Sequence, residues 1–94
     1  MFDELCDIVA PIASKHGICR VYLFGSRARG DNNENSDFDF CVVTSEDCGL
    51  MRLGAFLYDL EDALGNKVDI LCEEAMNTDL AEVVLRDRRL VFEA

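Results

Sequence analysis

The chain has 94 residues, of which 50% are hydrophobic and 30% are charged, and its formal net charge at pH 7 is −10. This length suits one small domain over residues 1–94, and the composition is that of an ordinary soluble globular protein. The negative charge argues against a surface that holds nucleic acid by neutralising phosphates, so direct nucleic-acid binding is not expected. A small anionic ligand stays compatible if local cations or metal ions screen it.

The termini and cysteines indicate a cytoplasmic protein. The N-terminal segment is acidic and amphipathic, unlike a signal peptide, and no apolar run approaches the length of a membrane span. The five cysteines are scattered, odd in number and without a C-x-x-C pair, which gives little support to a zinc site or a disulfide framework. Reduced thiols fit this pattern best.

The first predicted elements are a helix and a strand. Apolar residues recur at helical spacing over residues 2–15, although Pro11 predicts a kink or break near Ala10. His16, close to the end of this helix, is expected at the surface. Residues 18–24 are rich in β-branched and aromatic side chains and predict a strand.

A glycine-serine turn follows this strand. Gly25 ends the strand, and Ser26 is a suitable N-cap for a short helical turn that runs through Arg29. Residues 30–36 contain no apolar side chain and predict a loop.

The second predicted strand, residues 37–43, carries two acids in an otherwise apolar run. Alternation places Asp37 and Asp39 on one face of it, about 7 Å apart along the strand. Ionised groups in such a position are costly unless they are paired or bound to metal. The alternative to a metal site is a solvated strand end on which both acids are exposed and have no functional role.

A second helix and a third strand come next. Leucines at a spacing of three and four predict an amphipathic helix over about 49–64 that ends at Gly65, and the leucine stripe is assigned to the core. Residues 67–72 predict a strand that contains Asp69. A lone acid in an edge strand is common, so Asp69 has an ordinary explanation as well.

The chain ends with a helix and a short edge strand. Thr78 is a suitable cap for a helix that runs to Arg86, and residues 90–92 predict the strand. The basic residues at the helix end are expected to complement its dipole or to mark a contact with a partner; they are Arg86, Arg88 and Arg89. The resulting order predicts an α/β or α+β fold in which helices flank a small mixed β-sheet.

The acids and the turn together suggest phosphate chemistry. If the third strand pairs beside the second, Asp69 points into the same space as Asp37 and Asp39, and such convergent carboxylates suit Mg²⁺ or Mn²⁺. Backbone N–H groups at the Gly25–Ser26 turn form a natural phosphate seat.

Two arginines follow this seat. Arg27 and Arg29 add charge that can meet phosphate oxygens, or each can instead pair with a carboxylate. The turn is not a P-loop, because it lacks the lysine and the G-x-x-x-x-G-K spacing.

These motifs resemble the minimal nucleotidyltransferase domain of the DNA polymerase beta superfamily, and the resemblance covers almost the whole chain. It rests on three segments: Gly25-Ser26-Arg27-Ala28-Arg29-Gly30, Ser36-Asp37-Phe38-Asp39 and Val68-Asp69-Ile70. It implies a polymerase-beta-like fold in which Asp37 and Asp39 hold two Mg²⁺ ions. It also implies that Asp69 helps to hold the catalytic metal and takes the proton from the attacking hydroxyl.

The resemblance implies a reaction as well. Gly25 and Ser26 would hold the β and γ phosphates of a nucleoside triphosphate such as ATP. An acceptor hydroxyl would attack the α-phosphorus and release pyrophosphate. Phe38 and Phe40 stand where aliphatic residues are more usual, which alters the core and not the chemistry.

A partner is implied because the chain ends soon after the third acid, without a domain that would bind an acceptor. Stand-alone domains of this kind resemble the antitoxin half of HEPN–nucleotidyltransferase pairs, in which some members transfer AMP to a tyrosine of the toxin. The expected function is therefore adenylylation of a HEPN ribonuclease toxin. A non-catalytic antitoxin, a small-molecule nucleotidyltransferase and a homo-oligomer that builds its site between chains stay open as alternatives.

Overall fold

The computed structural model describes residues 2–94, with the side chain of Thr78 outside the description. The predicted element order is confirmed, with bounds that shift by at most one residue. The elements are α1 (Phe2–Lys15), β1 (Ile18–Phe24), α2 (Ser26–Arg29), β2 (Phe38–Thr44), α3 (Leu50–Leu64), β3 (Val68–Cys72), a 3-10 turn (Glu73–Ala75), α4 (Thr78–Asp87) and β4 (Arg89–Glu93).

The four strands form one mixed sheet in the order β3-β2-β1-β4, as the α/β class predicts. β1 is antiparallel to both β2 and β4, whereas β2 and β3 are parallel. A parallel pair needs a crossover connection, and α3 provides it. The consequence for function is the register, because Asp39 of β2 lies directly beside Asp69 of β3.

The core lies between the sheet and the helices α1 and α3. Phe40 and Phe56 are its largest fully buried side chains, and Leu60 is also fully buried. Other leucines of the predicted stripe pack against this core while partly exposed. Leu50, the first residue of α3, is 86% exposed, so the helical period extends the buried stripe one turn too far.

Two predictions near α1 are wrong. The helix runs through Pro11 without a break. Pro11 and Asp7 are both exposed, so the carbonyl that loses its N–H partner lies on the solvent side of the helix. His16 is not a surface residue: its side chain is 12% exposed, and its Nε2 lies 2.7 Å from Asp59 Oδ2 on α3.

The predicted helix caps also need correction. Gly25, not Ser26, occupies the N-cap position of α2, so Ser26 is the first helical residue. Asn77 caps α4 through a side-chain oxygen that accepts from the Leu80 N–H at 2.8 Å. The predicted capping contact of the Thr78 side chain lies outside the described residues.

The basic cluster after α4 has a structural use. The Arg88 guanidinium lies 3.9 Å from the centre of the Tyr22 ring, and its Nη1 donates to Glu73 Oε1 at 2.7 Å. The Arg89 guanidinium lies 3.8 Å from the centre of the Phe2 ring. Arg86 alone remains in the last turn of α4, where the dipole favours it.

Two further features concern membrane spans and cysteine pairing. No helix within residues 2–94 is long and apolar enough to cross a membrane. All five cysteines are free thiols.

Candidate active site

The backbone of the turn from β1 to α2 lies against a carboxylate. Gly25 has φ 77° and ψ −157°, a conformation that essentially only glycine adopts. A Cβ at this position would overlap Asp39 Oδ2. The Gly25 carbonyl accepts from the N–H groups of Ala28 and Arg29 at 3.1 Å. The first N–H groups of a helix have no acceptor within it, so the turn can donate beside Asp39.

Asp39 lies at the centre of the candidate site. Its β-sheet neighbours are Phe24 on β1 and Asp69 on β3. Burial raises the pKa of its carboxyl, and the negative charges of Asp69 and Asp37 raise it further. Arg29 opposes these effects. The structure therefore brings Gly25 and the predicted acids into one electrostatic neighbourhood, with Asp39 half-buried and Asp69 exposed.

Asp37 lies immediately before β2 and has a different neighbour. Its Oδ2 is 3.9 Å from Lys67 Nζ, and the two side chains are 40% and 67% exposed. Such an exposed ion pair contributes little stability. Lys67 was not singled out from the sequence, although the parallel register predicts the pairing. Each of these residues stands two positions before the acid of its strand, Asp39 or Asp69.

The site fits a hard divalent cation by its chemistry. Three carboxylates offer only oxygen ligands, and the repulsion acting on Asp39 is of the kind that a bound cation relieves. As placed, no group of three or more His, Cys, Asp or Glu side chains within residues 2–94 is gathered closely enough to hold a metal ion. The exposed ion pair of Asp37 with Lys67 is readily broken, so this carboxylate can turn toward Asp39.

Arg27, one of the two predicted phosphate contacts, is engaged by the loop before β2. Its Nε and Nη2 donate to the Ser36 carbonyl at 3.1 and 2.8 Å. Its guanidinium also lies 3.9 Å from the centre of the Phe38 ring. The structure thus places Arg27 where it fixes the approach to Asp37.

Arg29 is paired with carboxylates, the alternative that the sequence left open. Its Nε donates to Asp31 Oδ2 at 3.1 Å, and its Nη1 donates to Asp87 Oδ2 at 3.2 Å. These bonds tie α2 to the end of α4. Asp87 was not predicted from the sequence, because a contact between residues 58 positions apart has no local signal.

Residues 7–94 match the family described as "Polymerase beta, Nucleotidyltransferase". The chain belongs to this family. It is therefore a nucleotidyltransferase, and the fold and the recognition predicted from its motifs are confirmed.

Relatives of this nucleotidyltransferase carry more specific names. "Putative protein adenylyltransferase MJ0435" of Methanocaldococcus jannaschii is 37% identical over 85 residues, which cover 90% of this chain and 91% of that protein. A solved structure described as "putative minimal nucleotidyltransferase" is 37% identical with a TM-score of 0.79, over 89% of this chain and 86% of the other.

A more distant neighbour comes from a complex. It is described as a tri-AMPylated Shewanella oneidensis HEPN toxin in complex with MNT antitoxin. It has a TM-score of 0.75 and 18% identity, over 100% of this nucleotidyltransferase and 74% of that chain. At this identity the likeness concerns the fold alone.

Proposed function

We propose that this nucleotidyltransferase transfers AMP from ATP to a tyrosine hydroxyl of a HEPN-domain toxin, and so acts as its antitoxin in the cytoplasm. One observation carries the proposal: Asp39 and Asp69 are direct neighbours in the parallel β2–β3 register, and the Gly25 turn closes against Asp39. A phosphate seat beside two acids is what transfer of a nucleotidyl group requires.

The chain's own residues have separable tasks in this reaction. The N–H groups at the Gly25–Ser26 turn would hold the β and γ phosphates of ATP. The acceptor oxygen forms a bond to the α-phosphorus while the bond from that phosphorus to the β-phosphate oxygen breaks, and pyrophosphate leaves. Asp69, exposed on its strand, would take the proton that the acceptor hydroxyl loses.

Two Mg²⁺ ions, with Mn²⁺ as a substitute, would be held by Asp37, Asp39 and Asp69 and would supply positive charge to the phosphate oxygens. In this proposal Arg27 and Arg29 position other parts of the site and do not bind the phosphates themselves. Arg27 holds the loop that leads to Asp37, and Arg29 holds α2 against α4. Both positions keep the phosphate seat in register with the acids.

The choice of a protein acceptor rests on the relatives. The Methanocaldococcus jannaschii protein is named as a protein adenylyltransferase, and the Shewanella oneidensis complex is described with an AMP-modified HEPN toxin. The exposure of Asp69 at the sheet edge supports the same choice, because a bulky acceptor can reach it from outside.

The test is transfer of label from ATP labelled at the α-phosphate to a purified cognate HEPN-domain protein in the presence of Mg²⁺. We expect label on the HEPN protein with the wild-type chain and at least a thousandfold less with Asp39→Asn. Asp62→Asn, an exposed acid on α3, is the matched control and should transfer normally. Absence of label with the wild type, or equal protection of cells by a double Asp37→Asn/Asp39→Asn variant, would contradict the proposal.

A further inference from the structure

An apolar groove lies between α3 and β3, outside the site described above. It has a volume of about 360 Å³ and is lined by Leu50, Leu53, Gly54, Leu57, Ile70 and Cys72. Leu50 and the following Met51 are 86% and 91% exposed, the largest exposures among the large apolar side chains of the described chain. Contiguous apolar surface of this kind marks contact sites.

The groove and the candidate active site flank the same edge of the sheet. β3 is the edge strand, and Asp69 lies between Val68 and Ile70 in it. Side chains alternate along a strand, so Asp69 points to one face while Ile70 and Cys72 point to the other. A molecule seated in the groove therefore lies along the face of β3 opposite to the one from which Asp69 projects.

The dimensions of the groove suit a helix. Its lining on α3 runs from Leu50 to Leu57, about 10 Å at about 1.5 Å per residue, which is room for two turns of an occupant. A Cβ at Gly54 would meet nothing within 4 Å, so the floor is open at its middle. Amphipathic helices dock in such grooves through apolar residues three or four positions apart.

The rim of the groove is acidic. Glu46 and Asp47 lie just before α3, Glu74 lies just after β3, and all three are exposed. Glu74 follows the lining residue Cys72 by two positions, and its charge adds to the effect of burial in raising the pKa of the Cys72 thiol. The nearby cation, Arg52, is turned toward Gly17 instead. The complementary occupant has a basic flank.

We propose that the α3–β3 groove docks an amphipathic helix of the protein acceptor, with its apolar face on Leu50, Leu53 and Leu57 and basic side chains toward Glu46, Asp47 and Glu74. This inference rests on the proposed function, since it names the surface that the acceptor uses. Docking there holds the acceptor along the strand that carries Asp69, on the face opposite its carboxylate. The groove thus supplies an acceptor-binding surface outside the candidate active site.

The test measures binding separately from transfer. Full-length chains carrying Asp39→Asn are titrated with a purified cognate HEPN-domain protein by calorimetry, so that no AMP is transferred. We expect Leu50→Ala/Leu53→Ala, which removes two lining side chains, to raise Kd at least tenfold. Gly54→Leu should do the same by filling the floor while keeping or raising Tm, because leucine favours a helix more than glycine does. An unchanged Kd in both variants would overturn the proposal.

A matched control pair lies on α4. Val83 and Leu85 are 45% and 53% exposed, and Val83→Ala/Leu85→Ala should change Kd by less than twofold. Weakening as large as that of the groove pair would show a non-specific apolar contact and would overturn the proposal. Groove variants that dissociate a homo-oligomer in light scattering, yet bind the HEPN protein normally, would assign the groove to a second copy of this chain and overturn it too.

The two proposals fail separately. If the wild type transfers label and the groove variants bind and transfer as it does, the docking inference fails and the proposed function stands. If the wild type binds through the groove but transfers no label, adenylylation fails and the docking inference stands in a weaker form, as antitoxin binding alone.

Discussion

Gly25 and Asp39 are in direct steric contact, although Gly25 caps α2 and Asp39 lies on β2. The carboxylate oxygen of Asp39 occupies the space that any Cβ at residue 25 would need. The backbone of Gly25 also adopts a conformation that other residues reach only at a cost of about 1–3 kcal/mol. Substitution at this position therefore carries both a conformational and a steric penalty.

We predict that Gly25→Ala lowers nucleotidyl transfer at least a hundredfold, because the new methyl group displaces the Asp39 carboxylate from the phosphate seat. Gly30→Ala is the control. Gly30 also has a positive φ, 84°, but nothing lies within 4 Å of its added Cβ. The control should lose about 1–2 kcal/mol of stability by left-handed strain alone and keep its transfer activity. Transfer assays with thermal unfolding separate the two effects, and equal loss of transfer in both would contradict the steric argument.

The second residue-scale prediction concerns the charge of Asp39. Its pKa is raised in the folded chain by burial and by the charges of Asp69 and Asp37, so the folded state binds the proton more tightly than the unfolded state. The stability contributed by protonated Asp39 is fully present below the unfolded pKa and is lost as pH rises through the folded pKa. At neutral pH the ionised carboxylate therefore opposes folding.

We predict that Asp39→Asn raises Tm at pH 7 and that its advantage shrinks as pH falls toward the ordinary Asp pKa of about 3.9. Mg²⁺ should stabilise the wild type by about 2.7 kcal/mol at a hundred times its Kd, and Asp39→Asn much less. Thermal melts over pH and Mg²⁺ concentration check both statements. Asp62→Asn serves as control, and a variant less stable than wild type at pH 7 would contradict the assigned repulsion.

At the scale of elements, the site depends on where β2 and β3 start. Period-two alternation and the flanking glycines predict both strands, and the Asp-x-Asp spacing predicts that two acids share a face. Their parallel pairing and the register of Asp39 with Asp69 come from the sheet, through the crossover of α3. Local sequence patterns do not report such distant pairing, so they could not predict the contact of Asp37 with Lys67 or that of Arg29 with Asp87.

The role of Arg27 also depends on contacts that a local sequence pattern does not report. As a residue after Gly25–Ser26 it resembles a phosphate ligand, yet the fold turns it toward the Ser36 carbonyl and the Phe38 ring. These groups become neighbours only when the loop over residues 31–37 folds back along α2. A local pattern can place a cation near a turn, but it cannot choose between a phosphate ligand and a carbonyl nine positions further along the chain.

We predict that Arg27→Lys loosens this loop, because one ammonium group cannot reproduce the forked contact of Nε and Nη2 with the Ser36 carbonyl. A bond from a charged donor stabilises by about 1.5–3 kcal/mol, so hydrogen exchange at the amides of Asn35 and Ser36 should accelerate about tenfold or more. Arg29→Lys is the control. Its pairs reach Asp31, at the start of the loop, and Asp87, but not Asn35 or Ser36, so equal acceleration at these two amides would contradict the assignment.

At the scale of the whole molecule, hydrophobic periodicity assigns an exposed residue to the core. Leu50 continues the leucine stripe of α3 and is predicted to be core, but it is 86% exposed in the groove beside β3. The net charge argues against a nucleic-acid surface, and the length predicts one small domain. Neither could locate the groove, because it forms where a helix end and a sheet edge meet.

The net charge of −10 predicts how a basic partner approaches a molecule that measures only 35 × 31 × 20 Å. The Debye length is about 30 Å at 0.01 M salt, so the partner then feels the charge of the entire chain. At 0.15 M it is about 8 Å, and only charges at the point of contact act. Association should therefore slow at least tenfold between these concentrations, while dissociation changes little.

Two double variants, each of which neutralises two acidic residues, distinguish attraction by the net charge from attraction by the groove rim. Glu46→Gln/Asp47→Asn and Asp79→Asn/Glu82→Gln each remove two exposed charges, the first beside the groove and the second on α4. Stopped-flow association with a cognate HEPN-domain protein should slow about equally for both pairs at 0.01 M. At 0.15 M the rim pair should slow association more than the α4 pair, because screened charges act only close to the point of contact. Equal rates for the two pairs at 0.15 M would mean that the partner docks elsewhere and is drawn by net charge alone.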